Sequence, residues 1–199
     1  MNHAPPHPEK SNLRRVLRQQ RAALSPIARQ HAELQAARQA KTNGWLRPGK
    51  RIAAYIPVGS EFSPWPLILL ALHRGVEVYL PQVPARGRQL RFVRFDQHSR
   101  WAVGQYGIPE LLNGQSCLAR QLDSVFLPLV GFDATGGRLG QGGGYYDATF
   151  AFRRHRQHWK KPRLVGLAFA CQRVDALPKD HWDLHLDVVL PAPHGSVNL

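Results

Sequence analysis

Cysteine is nearly absent from this 199-residue chain, which holds only Cys117 and Cys171. Two thiols cannot staple a chain of this size into a disulfide framework, so a reducing compartment, the cytoplasm, is the simplest expectation. Cys117 has no neighbouring base in sequence that would mark it as a nucleophile, and Cys171, beside an apolar strand, reads as buried packing. Long apolar runs are missing too. The most apolar stretch, PWPLILLALHRG, falls well short of the roughly 20 residues that cross a bilayer, and no membrane partner is expected. The first residues, MNHAPPHPEKSN, lack the apolar core and small-residue cleavage pattern of a secretory signal. Acidic residues are scarce: 13 Asp and Glu stand against 27 Lys and Arg, a formal charge of +14. Such a balance attracts anions, whether a nucleotide, a phosphate, a polycarboxylate or a nucleic acid. Signatures of the common nucleic-acid modules are absent. Aromatics do not interleave with the basic runs at 14–21 and 153–161, so a basic nucleic-acid-binding protein is the weaker alternative.

What is present is enough apolar content for one large domain. Residues 1–8 read as a flexible, Pro- and His-rich N-terminus, and 9–199 as the domain. KSNLRRVLRQQRAAL has helical spacing, with Leu13, Val16, Leu17 and Leu24 near one face and Arg14, Arg15, Arg18 and Arg21 around the rest. Ser25-Pro26 restarts a helix that Asn43-Gly44 closes. Beyond it the pattern changes to short apolar strands at 51–57, 76–81, 90–95, 124–132, 163–170 and 186–191. A buried helix, SPWPLILLALHRG, joins the first two strands into a crossover unit. The fold class is α/β, a single domain with a mostly parallel sheet flanked by helices and two N-terminal helices.

The stretch RLGQGGGYYD, residues 138–147, places four glycines within five residues. Glycine loses the most backbone freedom on folding, so such a run needs a reason. It follows a strand and precedes YYDATFAFRRHRQHW, which reads as a helix. Strand, glycine loop and helix start together form an anion-binding geometry. The spacing matches neither the phosphate loop ending in Lys-Ser/Thr nor the dinucleotide fingerprint, so another α/β nucleotide-binding enzyme with a similar loop is a further alternative. Arg138 suits phosphate, and Asp147 suits magnesium.

PLVGFDATGGRLGQGGGYYDATF resembles the signature of the 5-formyltetrahydrofolate cyclo-ligase (5,10-methenyltetrahydrofolate synthetase) family. KSNLRRVLRQQRAALSP, IAAYIPVGSEF and LVGLAFACQRVDALPKDHWDLHLDVVLP resemble its other segments in order, so the resemblance covers nearly the whole chain. It implies ATP- and magnesium-dependent cyclisation of 5-formyltetrahydrofolate to 5,10-methenyltetrahydrofolate, through phosphorylation of the formyl oxygen, with release of ADP and phosphate. It also implies where each ligand sits. Lys10 and Arg14 match positions on ATP phosphates. Arg138, Leu139, Gly140, Gln141, Gly142, Gly143, Gly144, Tyr145 and Tyr146 match the nucleotide loop, with Arg138, Gly142, Gly143 and Gly144 at the transferring phosphate. Ile56 and Glu61 match the folate positions, and Gln141, Gly142, Gly143, Gly144 and Tyr145 border the folate. Asp147 and Asp183 match the magnesium positions. The partners are thus 5-formyltetrahydrofolate and ATP, and a monomer is the favoured state.

Read without the resemblance, these residues have plainer roles. Lys10 and Arg14 make a solvated helix face, Glu61 an exposed loop acid, Asp183 a turn or cap, and the tyrosines helix packing. His181 and His185 have the i, i+4 spacing of a zinc pair on a helix, but without a third ligand. The chain also departs from the family pattern. Gln141 and Ala148 stand where Arg is frequent, and Phe62-Ser63-Pro64 follows Glu61 where an apolar residue, an acid and Thr are usual.

Overall fold

A computed structural model of the chain describes residues 8–155, 161–178 and 180–191. Residues 1–7 of the expected flexible N-terminus therefore lie outside the described residues, and Pro8 already opens a helix. Helices α1 (Pro8–Ala22), α2 (Pro26–Thr42), α3 (Trp65–His73) and α4 (Tyr145–Thr149) are joined by eleven strands. These are β1 (Arg51–Ala53), β2 (Glu77–Gln82), β3 (Arg91–Phe95), β4 (Trp101–Val103), β5 (Pro109–Leu111) and β6 (Ser116–Cys117). They continue as β7 (Ser124–Pro128), β8 (Gly131–Phe132), β9 (Arg138–Leu139), β10 (Arg163–Leu167) and β11 (Val188–Leu190). Seven strands form one sheet in the order β11-β10-β7-β1-β2-β3-β6. It is parallel from β11 through β2, and β3 and β6 add an antiparallel edge.

Side chains alternate across a strand, so a sheet buried on both sides needs apolar residues at successive positions. Ile52, Val78, Phe126, Val165 and Val188 pack on the α2/α3 side. Their neighbours Ala53, Tyr79, Val125, Leu164 and Val189 pack on the other, with Phe150, Leu184 and Leu186. Helix α2 starts where Ser25 accepts a hydrogen bond from Ala28 N–H, with Pro26 in its first turn, and Asn43 caps its end. Its buried face is Ala36, Ala37 and Ala40, small enough for close approach.

Two expectations need correction. The segment 145–159 is not one helix: a single α-turn pair ends at Thr149, and Ala151–His155 is a 3-10 segment. Tyr146 and Phe150 make an apolar face over one turn only, too short to propagate a helix. Residues 156–160, including most of the second basic run, lie outside the described residues. Helix α3 begins at Trp65 behind Pro64, which offers no capping side chain, and it leaves Leu69 exposed, so it is buried on one face only. His181 and His185 do not share a helix, since 180–187 is turn and coil. The strands β4, β5 and β6 are two or three residues long and leave no periodic signal.

Candidate active site

In an open parallel sheet, ligands bind beyond the carboxyl ends of the strands. Strands β1 and β7 are neighbours there. The turn after β1 carries Ile56 and Glu61. The chain leaving β7 makes the β8–β9 hairpin and then the glycine loop, 140–144. The hairpin is held by Asp133, whose side chain is buried. Its Oδ1 accepts from Thr135 N–H at 2.9 Å, the Thr135 hydroxyl at 2.7 Å and Gly137 N–H at 2.9 Å; Oδ2 accepts from Leu177 N–H at 3.2 Å. Burial alone would raise this carboxyl, but these donors outweigh it and hold it below the ordinary value of 3.8.

Helix α1 lies over the loop. Leu17 seats it in a small cluster with Val130, Leu139 and Leu177. The inward stripe is basic rather than apolar: Lys10, Leu17 and Arg21 are the buried residues, with Arg14 half-buried between them. Arg14 Nε donates to the Gly140 carbonyl at 2.8 Å. Arg21 donates to Ser60 Oγ at 3.2 Å and to the Leu129 carbonyl at 3.4 Å. Arg18 Nη2 donates to Gln141 Oε1 at 2.6 Å, and Gln141 Nε2 donates to Glu61 Oε1 at 2.7 Å. Burial, then the neighbouring Arg18 charge, lowers the Arg14 guanidinium from its ordinary value. It stays charged, and its Nε is turned to the loop. Three arginines of the first basic run thus meet protein partners instead of forming an outward stripe for nucleic acid.

The loop conformation needs glycine at two points. Gly142 has φ +108° and Gly144, which caps α4, has φ +69°. Helix α4 has five residues, so its dipole contributes little, and the fixed positive charge beside the loop is that of Arg14 and Arg138. Arg138 is 8% exposed. It donates to Asp147 Oδ1 at 2.9 Å and lies over the Tyr146 ring, 5.8 Å from its centroid. Tyr146 stacks on Phe150. Burial pushes the Tyr146 hydroxyl far above its ordinary value, so it remains protonated. Tyr145 points the other way, where its hydroxyl pairs with Tyr106 at 2.8 Å.

The structure joins residues expected to have opposite roles. Lys10 Nζ lies 2.8 Å from both Asp180 Oδ2 and Asp183 Oδ2. Burial would lower this ammonium, but the hydrogen bonds to Asp180 and Asp183 outweigh it and raise it. Asp183 Oδ2 also accepts Asp180 N–H at 2.8 Å, which is the turn role expected of it from sequence. Leu184 N–H donates to Asp147 Oδ1 at 3.0 Å, bringing Asp147 beside Asp183. Asp147 Oδ2 and Asp183 Oδ1 carry no hydrogen bond among the described residues. Two such carboxylate oxygens suit magnesium, which takes one or two carboxylates and completes its shell with phosphate and water. Among the described residues no group of three His, Cys, Asp or Glu is placed to hold an ion by itself.

Sequence reading did not single out Arg18, Arg21, Asp180 or Tyr106. The spacing 10, 14, 17, 21 was a signal for the inward face, masked because arginine reads as solvated. Tyr106 has φ +69°, unusual for a bulky residue, and nothing in its sequence context announces it.

A parallel sheet with a glycine loop at its carboxyl edge, roofed by a basic helix, defines an α/β enzyme for anionic substrates. Residues 6–192 match the model of the 5-formyltetrahydrofolate cyclo-ligase family. The chain belongs to that family and is an ATP-dependent, carbon–nitrogen bond-forming ligase. It is 36% identical to the 5-formyltetrahydrofolate cyclo-ligase of Haemophilus influenzae, over 92% of this chain and 97% of the relative. It is 34% identical to that of Escherichia coli strain K12, over 88% and 96%. Among solved structures, the NMR structure of Aquifex aeolicus 5,10-methenyltetrahydrofolate synthetase superposes with a TM-score of 0.76 and 30% identity, covering 91% of this chain and 88% of that one.

Proposed function

We propose that the enzyme catalyses ATP- and magnesium-dependent closure of 5-formyltetrahydrofolate to 5,10-methenyltetrahydrofolate, acting as a monomeric domain spanning 9–199 in the cytoplasm. The observation that carries this reading is the meeting of both ligand halves at one loop. Gly140 is bonded to Arg14 on the nucleotide side, while Gln141 is bonded to Glu61 on the folate side.

The formyl group is a formamide, whose carbon is a poor electrophile and whose oxygen leaves poorly. Transfer of the γ-phosphoryl group to that oxygen forms an O–P bond and breaks the bond to the β-phosphate, releasing ADP. The N10 lone pair then attacks the formyl carbon, the C–O bond breaks, phosphate departs and N10 loses its proton to water. Phosphoryl transfer needs positioning and charge neutralisation more than a protein nucleophile. Arg14, Arg138 and the N–H groups of Gly142, Gly143 and Gly144 supply these. Lys10 reaches a phosphate by leaving its carboxylate pair. Leu139, Tyr145 and Tyr146 hold the loop at either end. Asp147 and Asp183 would hold the magnesium ion, whose chemistry is charge neutralisation at phosphate oxygens. Glu61 accepts two N–H groups of the pterin once Gln141 releases it, beside Ile56.

The direct test is absorbance. The methenyl product is a conjugated amidinium absorbing at longer wavelength than the substrate. A rise that needs both ATP and magnesium is expected, and a folded protein giving no rise overturns the reading. Glu61→Ala is expected to weaken folate binding by about 10- to 100-fold, the range for hydrogen bonds to a charged group. Its kcat should fall far less, so unchanged folate affinity in titration removes Glu61 from the pocket.

A further inference from the structure

Arg18 has no part in the proposed chemistry, yet it anchors a relay of three side chains from three segments. Its guanidinium, on α1, donates to Gln141 Oε1 on the loop; Gln141 Nε2 donates to Glu61 Oε1 on the turn after β1. Glu61 Oε2 accepts Val58 N–H at 3.1 Å, which fixes the far end. A carboxamide is suited to the middle position because it accepts at one atom and donates at the other. The reverse orientation of the amide would set donor against donor at Arg18 and acceptor against acceptor at Glu61, so the partners define it. An arginine at 141 could serve Glu61 but would repel Arg18.

We infer that Arg18 is a positioning residue that acts through Gln141 to couple the nucleotide and folate halves of the site. The inference rests on the proposed function. In the free enzyme the relay covers a Glu61 oxygen that the pterin needs. Folate must detach Gln141 from Glu61. A nucleotide engaging the loop must detach it from Arg18. Once one end opens, the amide is free to turn and the other end is weakened. The first ligand therefore bears the cost of opening, and the second binds more tightly by the same factor in either order.

The test is a binding cycle with 5-formyltetrahydrofolate and a β,γ-non-hydrolysable ATP analogue with magnesium, titrated alone and together. The wild type is expected to show a tightening of about fivefold, the low end for coupled sites because these side chains are exposed. Arg18→Ala should bring that factor close to one. Arg18→Lys, which still donates to Gln141, should restore most of it. A merely structural role would shift both affinities equally and leave the ratio unchanged. An unchanged ratio in Arg18→Ala, or no coupling in the wild type, overturns the inference while turnover stands. Absence of folate binding together with absence of ATP-dependent absorbance instead overturns the functional reading, and the inference with it. Arg18 is exposed, so its variants are expected to fold.

Discussion

Gly142→Val is expected to reduce turnover by at least roughly 10²-fold while the melting temperature stays within about 12 °C of wild type. The backbone at 142 has φ +108°, which a β-branched residue adopts only under strain. The loop is exposed and can relieve that strain by moving, so the cost to the fold is only about 1–3 kcal/mol. Moving is what the chemistry cannot tolerate. In the proposed reaction, shifting the 142–144 N–H groups by even 1 Å takes them off the transferring phosphate. The new side chain also grows toward Arg14, whose guanidinium carbon lies 3.8 Å from the Cβ position. Gly143→Val should follow by another route, because a Cβ there lies 3.0 Å from the Tyr145 ring. Steady-state kinetics with a thermal melt checks both. Normal turnover in Gly142→Val would remove the loop from the reaction.

Asp133→Asn is expected to destabilise the fold by about 2–4 kcal/mol, since each buried polar group left unpaired costs about 1–3 kcal/mol. The amide oxygen can still accept from Thr135 and Gly137, but its NH₂ then faces Leu177 N–H, donor against donor. The pH dependence gives a second readout. The folded carboxyl is held below 3.8, so its contribution to stability is complete above that value. It is lost as pH falls through the lower folded value. Denaturant melts between pH 5 and pH 2 should show a steeper fall for wild type than for Asp133→Asn. Parallel slopes would mean that Asp133 is not the group that titrates.

The architecture was legible because the parallel strands are apolar at successive positions, as in Ile52-Ala53 or Val188-Val189, and turn residues separate them. The glycine loop was legible as a motif, and the segments that resemble the family, those carrying Lys10, Arg14, Glu61, Asp147 and Asp183, do come together around it. What escaped was governed by long-range contacts. Arg21 is 3% exposed because Ser60 and the Leu129 carbonyl receive it, and nothing local reveals those partners. The helix after the loop was overextended because aromatic spacing at Tyr146 and Phe150 fits a helix and also fits one turn followed by 3-10 backbone. The carboxylates that hold Lys10 in the fold, Asp180 and Asp183, are far away in sequence, so no local pattern reveals that pairing.

That last contact spans 173 residues. Along the chain α1, with its inward-facing cations, precedes the sheet, and the carboxylates that neutralise Lys10 follow nearly all of it. The sheet can begin to order around β1 and β2 long before the roof of the site has anything to close upon. The seating of α1 over the glycine loop thus depends on a very long loop closure, and such closures come after local structure has formed.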